Sequence, residues 1–166
     1  MSLENTGKLN VGLCFLLKAA SRRYIMGLTS LLPLSCMRIG VLRVCGVKIG
    51  SRCYVGFGVR IDTNYPGLIV IEDDVTISHE CMLITHTQSP ASSVLSKIYN
   101  QVKPIWIKQG AWVGARTIIL PGAIIEKDCL IGAGSTVRGT TKEGTVWAGN
   151  PIRMKRQLDI CDTRAE

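Results

Sequence analysis

Between residues 49 and 137 the branched apolar residues fall six apart. Ile49, Val55 and Ile61 form one group, Ile71, Ile77 and Leu83 a second, and Ile107, Val113, Ile119, Ile125, Ile131 and Val137 a third. Four residues after each stands Cys53, Val59, Tyr65, Val75, Cys81, Thr87, Ala111, Thr117, Ala123, Cys129, Ser135 or Thr141. These are small or slim, except that Tyr65 breaks the rule and Thr87 opens a loop. A period of six fits neither an amphipathic helix nor a simple alternating strand. It fits a chain that turns a corner every six residues, so that three short strands close one triangular coil of 18. The branched residue then points into the prism and the small one fills the tight corner. Coils stack like parallel strands about 4.8 Å apart, each inward residue resting on the one 18 positions away. Gly50, Gly56, Gly114, Gly132 and Gly134 are expected to supply backbone freedom at the corners.

Two segments interrupt the period. Asn64-Tyr65-Pro66-Gly67-Leu68 inserts a turn-rich bulge, and residues 87–104 leave the prism as a long excursion. Long loops on a rigid scaffold commonly carry or cover a site. The chain therefore divides into a helical N-terminal segment (1–45), a β-helix (46–145) with the excursion loop 87–104, and a basic C-terminal tail or helix (146–166).

Composition narrows the classes. With 166 residues, 46% of them apolar, the chain suits one domain with a sizeable core and excludes disorder. Twenty Lys and Arg against 12 Asp and Glu give a net charge of +8, which favours anionic partners. Aromatics at 5% are poor material for a single-strand stacking platform, and no nucleic-acid reading head is present, so nucleic acid is not an expected partner. Seven cysteines cannot form a complete intrachain disulfide framework, and none forms a C-x-x-C pair. Free thiols in a reducing cytosol are the expectation. Near the N-terminus Val11 to Ala20 is apolar apart from Lys18, Arg22 and Arg23 follow, and a second apolar run covers Ile25 to Leu34. Neither run approaches the ~18 to 20 uncharged residues of a membrane span. Two readings stay open: helices packed on the main domain or a neighbouring subunit, or a basic helix lying on the inner face of the membrane.

VCGVKIGSRCYVGFGVRID (44–62), ITHTQSP (84–90), IKQGAWVGARTIILPGAIIEKDCLIGAGSTV (107–137) and VWAGNPIRMKR (146–156) resemble the hexapeptide acyltransferase superfamily. The likeness is to the small sugar O-acetyltransferases of the maltose and galactoside type and of polysaccharide biosynthesis, and it covers about residues 41 to 158. The resemblance implies an all-β fold, a left-handed parallel β-helix with a short helical N-terminal segment and a C-terminal helix. It also implies a cytoplasmic homotrimer with acetyl-CoA in the groove between subunits and no metal. The acceptor it implies is a hydroxyl of a sugar or a lipid-linked sugar precursor.

Acyl transfer from a thioester to a hydroxyl needs a base for the proton and donors for the oxyanion. The only histidines are His79 and His86. His86 stands at the mouth of the long loop and matches the family's catalytic histidine; an orienting or surface role is the alternative. In the galactoside and maltose enzymes that histidine lies about two residues later, which would fall on Gln88. His79 is expected to face solvent without a role. Asn64 matches the family's acceptor-contacting asparagine and also reads as a turn former before Pro66 and Gly67. Asp62 or a backbone carbonyl would orient the histidine. Resemblance places Ala115 as the oxyanion-donor amide, Ala133 with Arg138 and Gly139 along the pantetheine and adenine path, and Arg153 and Arg156 near the nucleotide phosphates. A solvated basic C-terminal helix is the alternative for the last two.

Zinc carbonic anhydrases share the prism but need three histidines around the ion, against two here. Serine acetyltransferases carry a large helical N-terminal domain for which there is no room before Ile49. A non-catalytic β-helix scaffold, and an acetyltransferase with an amino-acid or antibiotic acceptor, remain as alternative functions.

Overall fold

The computed structural model describes residues 24–91 and 94–158. From Lys48 onward very short parallel strands build three walls. The first is β1 (Lys48–Ile49), β4 (Ile69–Ile71), β9 (Ile105–Ile107) and β12 (Ile124–Ile125). The second is β2 (Tyr54–Val55), β5 (Thr76–Ile77), β10 (Trp112–Val113), β13 (Leu130–Ile131) and β15 (Thr145–Ala148). The third is β3 (Arg60–Ile61), β6 (Met82–Leu83), β11 (Ile118–Ile119) and β14 (Thr136–Val137). The chain visits the walls in rotation, as a three-sided coil must.

Register follows the hexads. Where the period is unbroken, Ile107 pairs with Ile125, Val113 with Ile131 and Ile119 with Val137, each 18 apart. Across the 64–68 bulge the partners are Ile49 and Ile71, a separation of 22. Across the excursion they are Ile71 and Ile107, a separation of 36. Insertions thus leave the prism without disturbing its stacking. Of the twelve period-six residues, Ile49 is partly buried and the other eleven are buried, all but Ile61 at 2% exposure or less. Each such side chain contributes roughly 1.5–3 kcal/mol of burial. Amides of one coil donate to carbonyls of the next, as Gly114 N–H to Ile131 O at 2.7 Å and Gly56 N–H to Ile77 O at 2.7 Å.

The corners correct one expectation. Gly50, Gly56, Gly114 and Gly132 do not adopt positive φ; among the five expected corner glycines only Gly134 does. Their reason is space: a Cβ on Gly56 would sit 2.6 Å from the backbone N of His79, and one on Gly114 2.6 Å from that of Ala133. The left-handed position is instead the third residue after nine of the twelve inward ones, namely Arg52, Gly58, Asp74, Glu80, Gly110, Arg116, Gly122, Asp128 and Gly134, with φ from 52° to 80°. Five of these nine carry a side chain.

A prism has two open ends. Helix α1 (Ser35–Val44) covers the first coil with Ile39 and Leu42. Arg38 is buried there, its Nε donating to Val55 O at 3.0 Å and its Nη1 to Leu32 O at 2.6 Å. Residues 24–28 are helical, with Met26 buried and Ile25, Leu28, Leu31 and Leu34 exposed. The apolar run 11–20 lies outside the described residues. Among the described residues no helix is long and apolar enough to cross a membrane. At the other end the expected C-terminal helix is replaced by strand β16 (Arg153–Gln157), which pairs antiparallel with β15. Gly149-Asn150-Pro151 reverses the chain, and β16 pairs with the edge of β15 that would otherwise stand unpaired. The described cysteines are free thiols; Cys45, Cys81 and Cys129 are buried, and burial pushes the Cys81 thiol up.

The excursion is an antiparallel arm. β7 (His86–Thr87) pairs with β8 (Gln101–Val102), and helix α2 (Val94–Tyr99) forms its tip. The Thr85–Lys103 backbone bond of 2.9 Å closes its base.

Candidate active site

Both interruptions of the period emerge at the same edge, where the third wall turns into the first. There the bulge brings Asp62, Asn64 and Tyr65 beside His86. Asp62 is the residue after inward Ile61, and its side chain is 3% exposed. Its Oδ2 accepts from Thr85 N–H at 3.0 Å, from Thr85 Oγ1 at 2.7 Å and from His86 Nδ1–H, and its Oδ1 accepts from Asn64 N–H at 2.9 Å. Burial alone would push this carboxyl up. The hydrogen bonds from Thr85, His86 and Asn64 outweigh it and hold Asp62 below the ordinary value of 3.8.

That carboxylate settles the imidazole's tautomer. With Nδ1–H given to Asp62, a neutral ring leaves Nε2 as an acceptor. The Asn64 amide meets it there, Nδ2 lying 3.1 Å from Nε2. Tyr65 stands edge-on to the ring, centroids 5.5 Å apart at 69°. The His86 side chain is 24% exposed, and with Asn64 and Asp62 it lines a cavity of about 280 Å³ that also touches Arg60 and Met82. Asn64 forms the turn foreseen for it, its N–H held by Asp62 Oδ1, and its side-chain amide meets the histidine. Tyr65 and Thr85 were not identified from the sequence. Tyr65 carried a signal, since it is the large residue where the repeat asks for a small one; Thr85 carried none. His79 lies exposed on another edge, its Nδ1 accepting from Phe57 N–H at 3.1 Å. Gln88 is exposed on the arm.

The remaining predicted positions fall on two edges. Ala115 and Ala133 lie one coil apart where the second wall turns into the third. Their backbone N–H groups have no acceptor among the described residues. Arg153 continues this column, because it pairs with Ala148, whose Cβ would be 2.8 Å from a Cβ on Gly132. Arg138 and Gly139 sit instead on the edge that carries His86, at the end of β14, two strands along the third wall from β6. Arg156 pairs with Val146 at the far part of β16 and is not brought to either group. Among the described residues no three His, Cys, Asp or Glu side chains gather as a metal would require.

The family model of the bacterial transferase hexapeptide (six repeats) matches residues 104–139. A galactoside O-acetyltransferase of Lactococcus lactis subsp. lactis (strain IL1403) is 32% identical over 136 residues, covering 69% of this chain. Residues 104–139 of the chain thus carry the hexapeptide repeat of that family. In its three parallel walls the chain has the left-handed parallel β-helix of the hexapeptide-repeat acetyltransferase structures, and not a closed barrel. It spans 65% of the length of the Lactococcus relative. A putative lipopolysaccharide biosynthesis O-acetyl transferase of Escherichia coli (strain K12) is 27% identical over 142 residues, 68% of this chain and 72% of that protein. The crystal structure of a maltose O-acetyltransferase from Clostridium difficile 630 superposes with a TM-score of 0.64 at 25% identity, covering 86% of this chain and 89% of that one. A galactoside acetyltransferase in complex with coenzyme A shares the fold at a TM-score of 0.64 and 20% identity, over 89% of this chain and 84% of that one.

Proposed function

We propose that this protein is an acetyl-CoA-dependent O-acetyltransferase that acetylates a sugar hydroxyl, with His86 as general base and direct transfer in a ternary complex. The observation that carries the reading is the Asp62–His86–Asn64 chain of hydrogen bonds at the floor of an open cavity. Asp62, kept ionised, holds Nδ1–H and so aims the Nε2 lone pair outward. An acceptor hydroxyl entering the cavity takes the place of the Asn64 amide on Nε2, and the freed amide is then available to another acceptor oxygen. Nε2 receives the hydroxyl proton as its oxygen attacks the thioester carbonyl, and returns that proton to the departing thiolate. The donor supplies the activated acyl group; the chain supplies positioning, base and oxyanion donors.

A backbone N–H left without an acceptor suits Ala115 for the oxyanion and Ala133 for a pantetheine amide, and Arg153 in the same column suits a phosphate. This column and His86 occupy different edges of one prism. A homotrimer, in which one protomer's column faces its neighbour's His86, Arg138 and Gly139, joins the two halves. The family resemblance and the relatives named for galactoside, maltose and lipopolysaccharide acetyl transfer support the sugar acceptor.

The test is thiol release from acetyl-CoA over a panel of sugars, nucleotide sugars and amino acids, run beside His86→Ala. Turnover of a sugar, lowered in the variant, is expected; equal turnover by both proteins would remove the base. A thermal shift with coenzyme A separates the enzyme from a bare scaffold, which gives none.

A further inference from the structure

The geometry points to Arg60 as the recognition residue for a phosphate-bearing sugar acceptor, an inference that rests on the acetyl-transfer reading of His86. The outward positions of the third wall run Arg60, Met82, Ile118 and Thr136 in strand register. One guanidinium therefore stands at the end of an otherwise uncharged row. It lines the cavity of about 280 Å³ that holds His86, Asp62 and Asn64. It also lines the adjoining cavity of about 360 Å³, whose wall includes Met26, Leu42, Val59 and Ile61. Arg60 thus sits between the base and a recess under the N-terminal helical residues, whose mixed lining also includes Thr29 and Thr63.

Its state differs from that of the basic side chains at neighbouring corners. Arg52 is paired with Asp74 at 2.6 Å and Arg116 with Glu80 at 2.6 Å, while Arg43 donates to the carbonyls of Ile49 and Gly50. Arg60 has no ion pair and no side-chain hydrogen bond among the described residues. The nearest carboxylate in sequence, Asp62, already has its two oxygens engaged by Thr85, His86 and Asn64. A neutral sugar gives an unpaired guanidinium no charge to answer. A phosphate does, and the planar fork of Arg fits it in two hydrogen bonds. With the reacting hydroxyl at His86 and the phosphate at Arg60, whatever the phosphate carries next enters the recess. That carrier is a prenyl chain or a nucleoside; the sugar phosphate is common to both.

The test compares acceptors differing only in charge and carrier: a methyl hexoside, the hexose 1-phosphate, the uridine diphosphate hexose and a short prenyl pyrophosphoryl hexose, with acetyl-CoA as donor. In the wild-type protein kcat/KM is expected to be at least about tenfold higher for the phosphate-bearing acceptors than for the methyl hexoside. Arg60→Gln should close that gap by lowering kcat/KM for the phosphate-bearing acceptors far more than for the methyl hexoside, and Arg60→Lys should keep part of it. Added salt should narrow the wild-type gap. A further gain with the prenyl compound assigns the recess to lipid, and one with the uridine compound to nucleoside. No wild-type preference for phosphate, or an equal fall for all acceptors in Arg60→Gln, overturns the role of Arg60 and leaves acetyl transfer standing. Calorimetric titration of hexose 1-phosphate without donor reads recognition alone. Binding that Arg60→Gln abolishes, with no acceptor turned over by the wild type, upholds Arg60 and overturns acetyl transfer.

Discussion

The coils from Ile105 to Val137 and the edge around His86 are built from the same strands, yet they solve opposite problems. In the upper coils every hexad repeats, partners are 18 apart, and the inward residues are at 1% exposure or less. At the His86 edge both interruptions leave the period, and a buried carboxylate, Asp62, collects hydrogen bonds from Asn64, Thr85 and His86. Thr85 is fully buried there because Asp62 accepts both of its protons. The difference teaches that the repeat makes a wall and its breaks make the chemistry. Backbone satisfied coil to coil leaves only corner amides such as those of Ala115 and Ala133 without an acceptor among the described residues, whereas an insertion brings polar side chains to a fixed edge without disturbing the stack.

The largest effect expected from breaking this contrast is at the edge. His86→Ala should lower kcat/KM by about 10²- to 10⁴-fold with little change in melting temperature, read by thiol release. Asp62→Asn should come next, because an amide no longer enforces Nδ1–H and the lone pair at Nε2 is lost for part of the time. The same variant sharpens the electrostatics. The folded-state value of Asp62 is depressed, so its contribution to stability is present above 3.8, the ordinary carboxyl value, and is lost as pH falls through the folded value. Denaturant melts of the wild type at successive pH values should show this acid loss, and Asp62→Asn should show less of it.

In the regular stack, Ile119→Ala should cost about 2–5 kcal/mol in denaturant titration, because its neighbours Leu83 and Val137 are held by the coil spacing and cannot collapse on the cavity. Gly114→Ala should cost about 1–3 kcal/mol, since its Cβ meets backbone 2.6 Å away and a coil must shift. Smallest is Asp128→Gly, which should stabilise by at most about 1 kcal/mol by relieving a side chain at φ 52°. A large activity loss from Ile119→Ala at temperatures where the protein stays folded would blur the division between wall and site.

Much of this was legible before any coordinates. Twelve branched residues at one period defined walls, register and core, because a six-residue side has a single inward position and mispairing would expose it. His86 and Asn64 were legible as candidates through motif and interruption, and Tyr65 as an exception to the rule. The C-terminal tail misled, since its basic residues read equally as a helix face, and only the open edge of β15 decided for a strand. Ala115 with Ala133 and His86 belong to one motif set in sequence but to different edges in space.

The sequence alone determined the repeat, and with it the prism, because side-chain volume and apolarity at a fixed interval are local properties. Only the tertiary structure decided which carboxylate holds the imidazole, that Arg60 lines the same cavity as His86, and what the corner glycines are for. Each of those depends on atoms of different coils meeting, as Asp62 and His86 do 24 positions apart, and no local pattern encodes that meeting.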